Sequence, residues 1–137
     1  MASYKTGPGS LVLGETGSEE EFNMAVTTCQ VEWDVDSDDD IPLLSGDVLA
    51  GDDEYTAVLT GELVQDISAT GINTWSWENK GTVQPFVFIP NTVEDRQVTG
   101  EVKVMPVTVG GEVKKRAVAD FEWACVGEPA LGDVPAP

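Results

Sequence analysis

Apolar and polar residues alternate with period two through much of the chain. In residues 24–35, Ala25, Thr27, Cys29, Val31, Trp33 and Val35 fall on one side, and Met24, Val26, Thr28, Gln30, Glu32 and Asp34 on the other. Successive side chains of a β-strand point to opposite faces, so this segment is predicted to bury the first set and show polar and acidic groups on the second. Residues 55–65 repeat the pattern, with Tyr55, Ala57, Leu59, Gly61 and Leu63 opposing Thr56, Val58, Thr60, Glu62 and Val64. Near the C-terminus Phe121, Trp123 and Cys125 face one way while Asp120 and Glu122 face the other.

Shorter signals fill in the rest. Residues 11–13 read as a short strand within an N-terminal arm spanning 1–23. Pro85 inside the apolar run 82–89 predicts an edge strand or a bulge. Residues 97–109 and 112–126 are expected to form a hairpin across Gly110-Gly111, a pair suited to positive φ. One helix is predicted at about 70–79, capped by Ser68 or Thr70 and ended by Gly81, with Ile72 and Trp75 on one face and Trp77 pointing elsewhere. Residues 34–54, broken by Pro42, Gly46 and Gly51, read as an extended acidic loop with room for a short hairpin. The Pro-bearing residues 127–137 read as a flexible tail. The expected fold is a single domain over 1–137, mainly β, an antiparallel β-sandwich or barrel-like arrangement with one flanking α-helix.

Charge narrows what such a domain does. Twenty-five acidic residues face seven basic ones, a formal net charge of −18, and there is no histidine. Binding nucleic acid through its phosphates needs Lys and Arg, and so does holding an anionic membrane, so the composition argues against both roles. Segregation of acids onto strand faces beside β-branched and aromatic residues is not the signature of a disordered chain. No apolar run approaches the roughly 20 residues of a membrane span, and the N-terminus lacks the charged-then-apolar layout of a signal peptide. The expectation is a soluble protein made in a cytoplasm. Cys29 and Cys125, far apart in sequence and on apolar strand faces, are expected to be buried thiols.

Catalytic signals are missing. The common general base and metal ligand is absent with histidine, and no nucleophile-elbow, phosphate-loop, zinc-helix or dinucleotide motif occurs. The run of Asp34, Asp36, Asp38 and Asp40 invites a calcium reading, with Asp36, Asp38, Asp40 and Asp47 at loop positions 1, 3, 5 and 12. However, Ile41 stands where that loop needs glycine, and position 12 is Asp rather than Glu. No catalytic residue, metal or cofactor is assigned.

One segment resembles a known family. Ile67-Ser-Ala-Thr-Gly-Ile-Asn-Thr-Trp-Ser-Trp-Glu-Asn-Lys-Gly-Thr-Val-Gln-Pro-Phe-Val-Phe-Ile-Pro-Asn reads as a short helix, an Asn-Lys-Gly stop and an aliphatic-aromatic strand ending in proline. With the closing strand Val118-Ala-Asp-Phe-Glu-Trp-Ala-Cys-Val-Gly-Glu-Pro it resembles the major tail (tail tube) proteins of long-tailed, siphovirus-type bacteriophages, in style those of actinobacterial phages. The likeness covers about residues 24–129 and rests on packing signatures rather than catalytic ones. It implies a β-sandwich with a flanking helix, assembled as homohexameric rings stacked into a virion tail tube built in the bacterial host cytoplasm. Its implied partners are further copies of itself and the tape measure, tail terminator and tail tip proteins. Genome DNA would pass through an acidic lumen during ejection without specific binding.

On that resemblance the candidate lumen-facing acids are Glu32, Glu62, Glu101 and Glu122, with Asp34 and Asp120 beside them. The candidate contacts between rings or subunits are Leu43, Leu44, Val48 and Leu49 of the 34–54 segment, and Trp77. That segment is unusually acidic for a joint between identical rings. Its charge calls for an answer from a neighbour's Lys80, Lys103, Lys114, Lys115 or Arg116, and predicts salt-dependent polymerisation. Other readings fit the same composition: a capsid decoration or tail terminator protein, an acidic DNA-mimic inhibitor and, more remotely, a carbohydrate-binding β-sandwich. A mimic would stay small and bind a basic partner, whereas a tube subunit would form large symmetric assemblies.

Overall fold

The computed structural model describes residues 3–14, 19–22 and 25–134. Among the described residues, nine strands and one helix follow in the order β1 (Ser10–Leu13), β2 (Glu20–Glu21), β3 (Val26–Ser37), β4 (Ile41–Pro42), β5 (Val48–Leu49), β6 (Asp53–Val64), α1 (Ile72–Glu78), β7 (Val83–Ile89), β8 (Arg96–Lys103) and β9 (Val118–Asp133). Seven strands are joined in the order β2-β1-β7-β8-β9-β6-β3, and β4 pairs with β5 alone. Every pairing is antiparallel. The mainly β expectation with one helix is the observed architecture.

Strand β9 links the two halves. Its first part, up to Ala124, pairs with β6, and from Cys125 onward it pairs with β8. A register slip follows Val126, where Gly127 takes a left-handed φ of 75°, a conformation that glycine adopts without steric cost. One sheet thereby carries two inner faces that share a core. Leu11, Leu13, Phe86, Phe88 and Val102 come from one half, and Leu59, Leu63, Phe121 and Trp123 from the other. Trp75 of α1 seals the core, its ring centroid 6.1 Å from that of Trp123 and 5.6 Å from that of Phe22.

Several expectations need correction. The 118–126 strand runs on to Asp133, so residues 127–133 are ladder rather than flexible tail. Pairing with β8 and an Arg96–Asp133 ion pair of 2.8 Å hold them; residues 135–137 lie outside the described set. The 97–109/112–126 hairpin is also different. β8 and β9 do pair, but residues 104–117 between them are not strand. That segment buries Val104 and Val107; its Val107 and Thr108 carbonyls accept from Trp77 and Asn73 of α1 and its Val107 amide donates to Ser76, so these backbone groups are not free for a ladder. Pro85 lies in β7, between β1 and β8 rather than at an edge. The Pro85 carbonyl accepts from Gly14 N at 3.0 Å, one residue past the end of β1, so the donor that proline lacks falls where the β1–β7 ladder stops.

The helix is seven residues long and starts later than expected. Gly71 occupies the N-cap without a side-chain bond, so neither Ser68 nor Thr70 serves. Ser68 is otherwise engaged, its amide donating to Asp66 Oδ1 and its carbonyl accepting from Thr74 Oγ1 at 2.7 Å. Gly81, at φ 78°, ends the turn as predicted.

Candidate functional site: an acidic sheet face and a projecting hairpin

The outward face of β3, β6 and β9 is built from alternate residues of three paired strands. The register aligns Thr28, Glu62 and Asp120 in one row, Gln30, Thr60 and Glu122 in the next, and Glu32, Val58 and Ala124 in a third. Beyond them Asp34 pairs with Thr56 and Asp36 with Glu54. Five of the six sequence-predicted acids (Glu32, Asp34, Glu62, Asp120, Glu122) therefore share one surface, and all five are exposed. Glu101 pairs with Val126 and carries the same face onto β8, where Lys103 follows two residues on. No Lys or Arg occupies any row of the β3–β6–β9 face.

Two of these cross-strand pairs set acid against acid: Glu62 with Asp120, and Asp36 with Glu54. Like charges directly opposite on a sheet are destabilising, so this arrangement costs the isolated chain stability. The neighbouring polar groups are engaged locally. The Gln30 amide donates to the Glu32 carboxylate, and the Thr60 hydroxyl donates to the Phe121 carbonyl at 3.0 Å.

Past the core the β3–β6 hairpin projects as an arm. On its inward-side face Cys29 and Val31 are half-buried, but Thr27, Trp33 and Val35 are exposed, so the buried face predicted for 24–35 is only partly buried. A register shift between Val26 and Thr28 also turns Val26 toward the core. Trp33 packs edge-on against Tyr55 of the partner strand, with ring centroids 6.4 Å apart. Residues 34–54 are the strand ends of this arm, closed by the small β4–β5 hairpin at its tip. Ile41, Leu43, Leu44, Val48 and Leu49 all stand exposed there, Leu44 completely. The D-x-D-x-D run is strand and turn: Asp36 lies in the β3–β6 ladder and Asp40 Oδ1 accepts from Gly51 N at 2.8 Å. Among the described residues no three His, Cys, Asp or Glu converge as metal ligands.

At the opposite end of β6 lies α1. A buried polar clamp joins it to the 104–117 segment. Asn73 accepts from Asp66 N and donates to Thr108 O, each at 3.0 Å, while the Ser76 hydroxyl accepts from Val107 N at 3.1 Å. Trp77 donates its indole N–H to Val107 O at 2.6 Å, yet half of the side chain remains exposed. It lines an open groove of about 550 Å³ with Ile67, Thr74, Lys80 and Val109. The thiols lie away from both surfaces' chemistry: burial pushes Cys29 up to about 12 and raises Cys125 as well.

No protein-family model matches the chain, and no curated protein sequence matches it. Solved structures do. A chain in the tail of an empty gene transfer agent (GTA) particle, refined helically with C6 symmetry, superposes with a TM-score of 0.65 at 19% identity. The match covers 90% of this chain and 94% of that one. A chain of the native GTA virion gives a TM-score of 0.63 at 17% identity, covering 89% and 95%. This is a tail tube fold.

Within that tail tube fold the sequence reading missed three exposed side chains of the arm, Trp33, Val35 and Tyr55, and two acids of its outer face, Asp36 and Glu54. Their alternation continues unbroken from the paired strands. For Asp36 and Glu54 the acid density of residues 34–54 masked it, because charge is read as loop before it is read as strand; Trp33, Val35 and Tyr55 were read on strands but expected on a buried face.

Proposed function

We propose that the chain is the structural subunit of a tail tube in a phage or phage-like particle, of the siphovirus type and similar to those of actinobacterial phages. It assembles as hexameric rings stacked into a hollow tube, and its work there is mechanical rather than enzymatic. The β3–β6–β9 outer face lines the bore, and genome DNA slides along it during ejection. Rings are completed by other tail components, namely the tape measure, tail terminator and tip, after assembly in the host cytoplasm.

The observation that carries this reading is the base-free acidic face with its two acid–acid cross-strand pairs, set in a fold shared with a C6 tail. A monomer gains nothing from opposing carboxylates across a ladder. Around a bore they repel phosphate and deny DNA the counterion-release attraction that basic grooves exploit. Six copies at −18 place −108 formal charges on each ring.

Negative-stain electron microscopy of the purified protein across a salt series tests the assembly. Rings or tubes with a central hole are expected. Glu32→Lys and Glu122→Lys tubes are expected to retain DNA on co-sedimentation where unsubstituted tubes do not; equal, negligible retention by all three would remove the bore assignment.

A further inference from the structure

The outer part of the segment between β8 and β9 lies beyond the clamp that holds α1. Gln65 closes its neck. The Gln65 Nε2 donates to Gly110 O at 2.9 Å and to Val118 O at 3.0 Å, and its Oε1 accepts from Gly110 N at 2.9 Å. The Gln65 amide adds a bond to Ala117 O at 3.0 Å. Past that neck residues 111–116 are all exposed. Among the described residues their backbone makes a single hydrogen bond, from Lys115 N to Glu112 O at 3.3 Å. Lys114 takes a φ of 68° there, a left-handed conformation that costs any residue with a Cβ.

The loop also holds a sequence feature found nowhere else in the chain. Lys114, Lys115 and Arg116 are consecutive, whereas Lys5, Lys80, Arg96 and Lys103 each stand alone. Backbone or ladder bonds hold the four isolated bases. Lys103 pairs with Val83 in the β7–β8 ladder, and Arg96 pairs with Asp133 in the β8–β9 ladder. Gly81, next after Lys80, donates its amide to Val104 O at 2.8 Å, and the Lys5 carbonyl accepts from Asn91 Nδ2 at 2.9 Å. A protease takes its substrate as an extended segment. A bond inside a ladder is therefore cut only after local unfolding, while an exposed loop tip is cut directly.

We propose that residues 111–116 are a processing site for a serine endoprotease that cuts after basic residues, and that the cut chain keeps its fold with β9 held as a separate strand. The overall step is hydrolysis: water adds to the carbonyl carbon of the basic residue, the following C–N bond breaks, and the new amino group takes up the proton. The protease supplies the catalysis. Of the basic bonds, Lys114–Lys115 is the farthest in sequence from the neck, and extending the loop there releases the left-handed φ of Lys114. The cut leaves β9 paired on both sides, with β6 up to Ala124 and with β8 from Cys125. Phe121 and Trp123 stay buried in the core, so Asp120 and Glu122 keep their places on the outer face. The site is independent of the tube-subunit reading.

Trypsin at a limiting ratio to the full chain is the probe. It reads single basic residues, so the structure rather than the sequence selects the bond. Intact-mass spectrometry is expected to show first products ending at Lys114, Lys115 or Arg116, about tenfold or more faster than any cut after Lys5, Lys80, Arg96 or Lys103. A first cut after one of those four would overturn the site. The two pieces are expected to co-elute on gel filtration and to part only in concentrated urea. Pieces that separate in buffer, or a loss of β circular dichroism on cutting, would overturn the retained fold. The triple variant Lys114→Gln, Lys115→Gln, Arg116→Gln changes only exposed side chains and is expected to melt as the unsubstituted chain does. Its first cut should be slower by about tenfold or more; an unchanged rate would contradict the assignment.

Discussion

Glu62 stands directly opposite Asp120 across the β6–β9 ladder, both exposed and on the same face. The strand register, fixed by Leu59, Leu63, Phe121 and Trp123 on the buried side, holds the two carboxylates in place. A one-residue slip would turn every one of those core residues outward, so the chain cannot relieve the repulsion by sliding.

Glu62→Gln is therefore expected to stabilise the isolated chain by about 0.2–1 kcal/mol, seen as a melting temperature higher by about 1–4 °C at low salt. The gain should shrink as salt screens the pair. A lower melting temperature would show that Glu62 has a favourable partner.

Gly61 supports the same face from below. A Cβ there would overlap the Thr28 carbonyl oxygen and come within 2.9 Å of the Phe121 ring. Gly61→Ala is expected to push β3 away from β6 and to cost about 2 kcal/mol or more, measured by urea unfolding. Hydrogen exchange should locate the loosened amides on β3. Unaltered protection there would contradict the close approach.

Asn73 is almost fully buried and holds two separate segments, the Asp66 amide and the Thr108 carbonyl. Asn73→Ala leaves both without a partner, and about 2–4 kcal/mol of stability is expected to be lost. Faster exchange of amides in residues 104–110 would be the local signature. A loss below about 1 kcal/mol would mean that water replaces the side chain.

Burial gives Cys29 a pH signature. Its thiol is pushed from 9.0 to about 12, so between those values the unfolded chain releases a proton that the folded chain keeps. Folding stability must then fall as pH rises through that window, and it is unaffected by this group below pH 9. Cys29→Ala is expected to flatten that part of the curve, measured by denaturant unfolding from pH 8 to 11. A profile identical to the unsubstituted chain would contradict the burial effect.

Much of this was legible in the sequence because period-two alternation reports a face directly. Phe121, Trp123, Asp120 and Glu122 went to the sides expected of them, and the helix around Ile72 and Trp75 announced itself by its glycine stop. Three kinds of feature were not legible. Trp33, Val35 and Tyr55 follow the same alternation as the core but lie beyond it, and periodicity cannot tell where a second layer ends. The 104–117 segment reads as strand from its valines, yet its backbone is claimed by Asn73, Ser76 and Trp77, a tertiary demand that no local pattern announces. The acidic surface was visible as charge, but the opposition of Glu62 to Asp120 depends on register, which only the folded ladder provides.

A helical reconstruction of tubes grown from the purified protein tests the bore assignment most directly. Sixfold rings are expected, with Glu32, Glu62, Asp120 and Glu122 facing the central channel. Tubes with the β3–β6–β9 outer face turned to the outside, or a protein that stays a single chain at every concentration and salt, would contradict it.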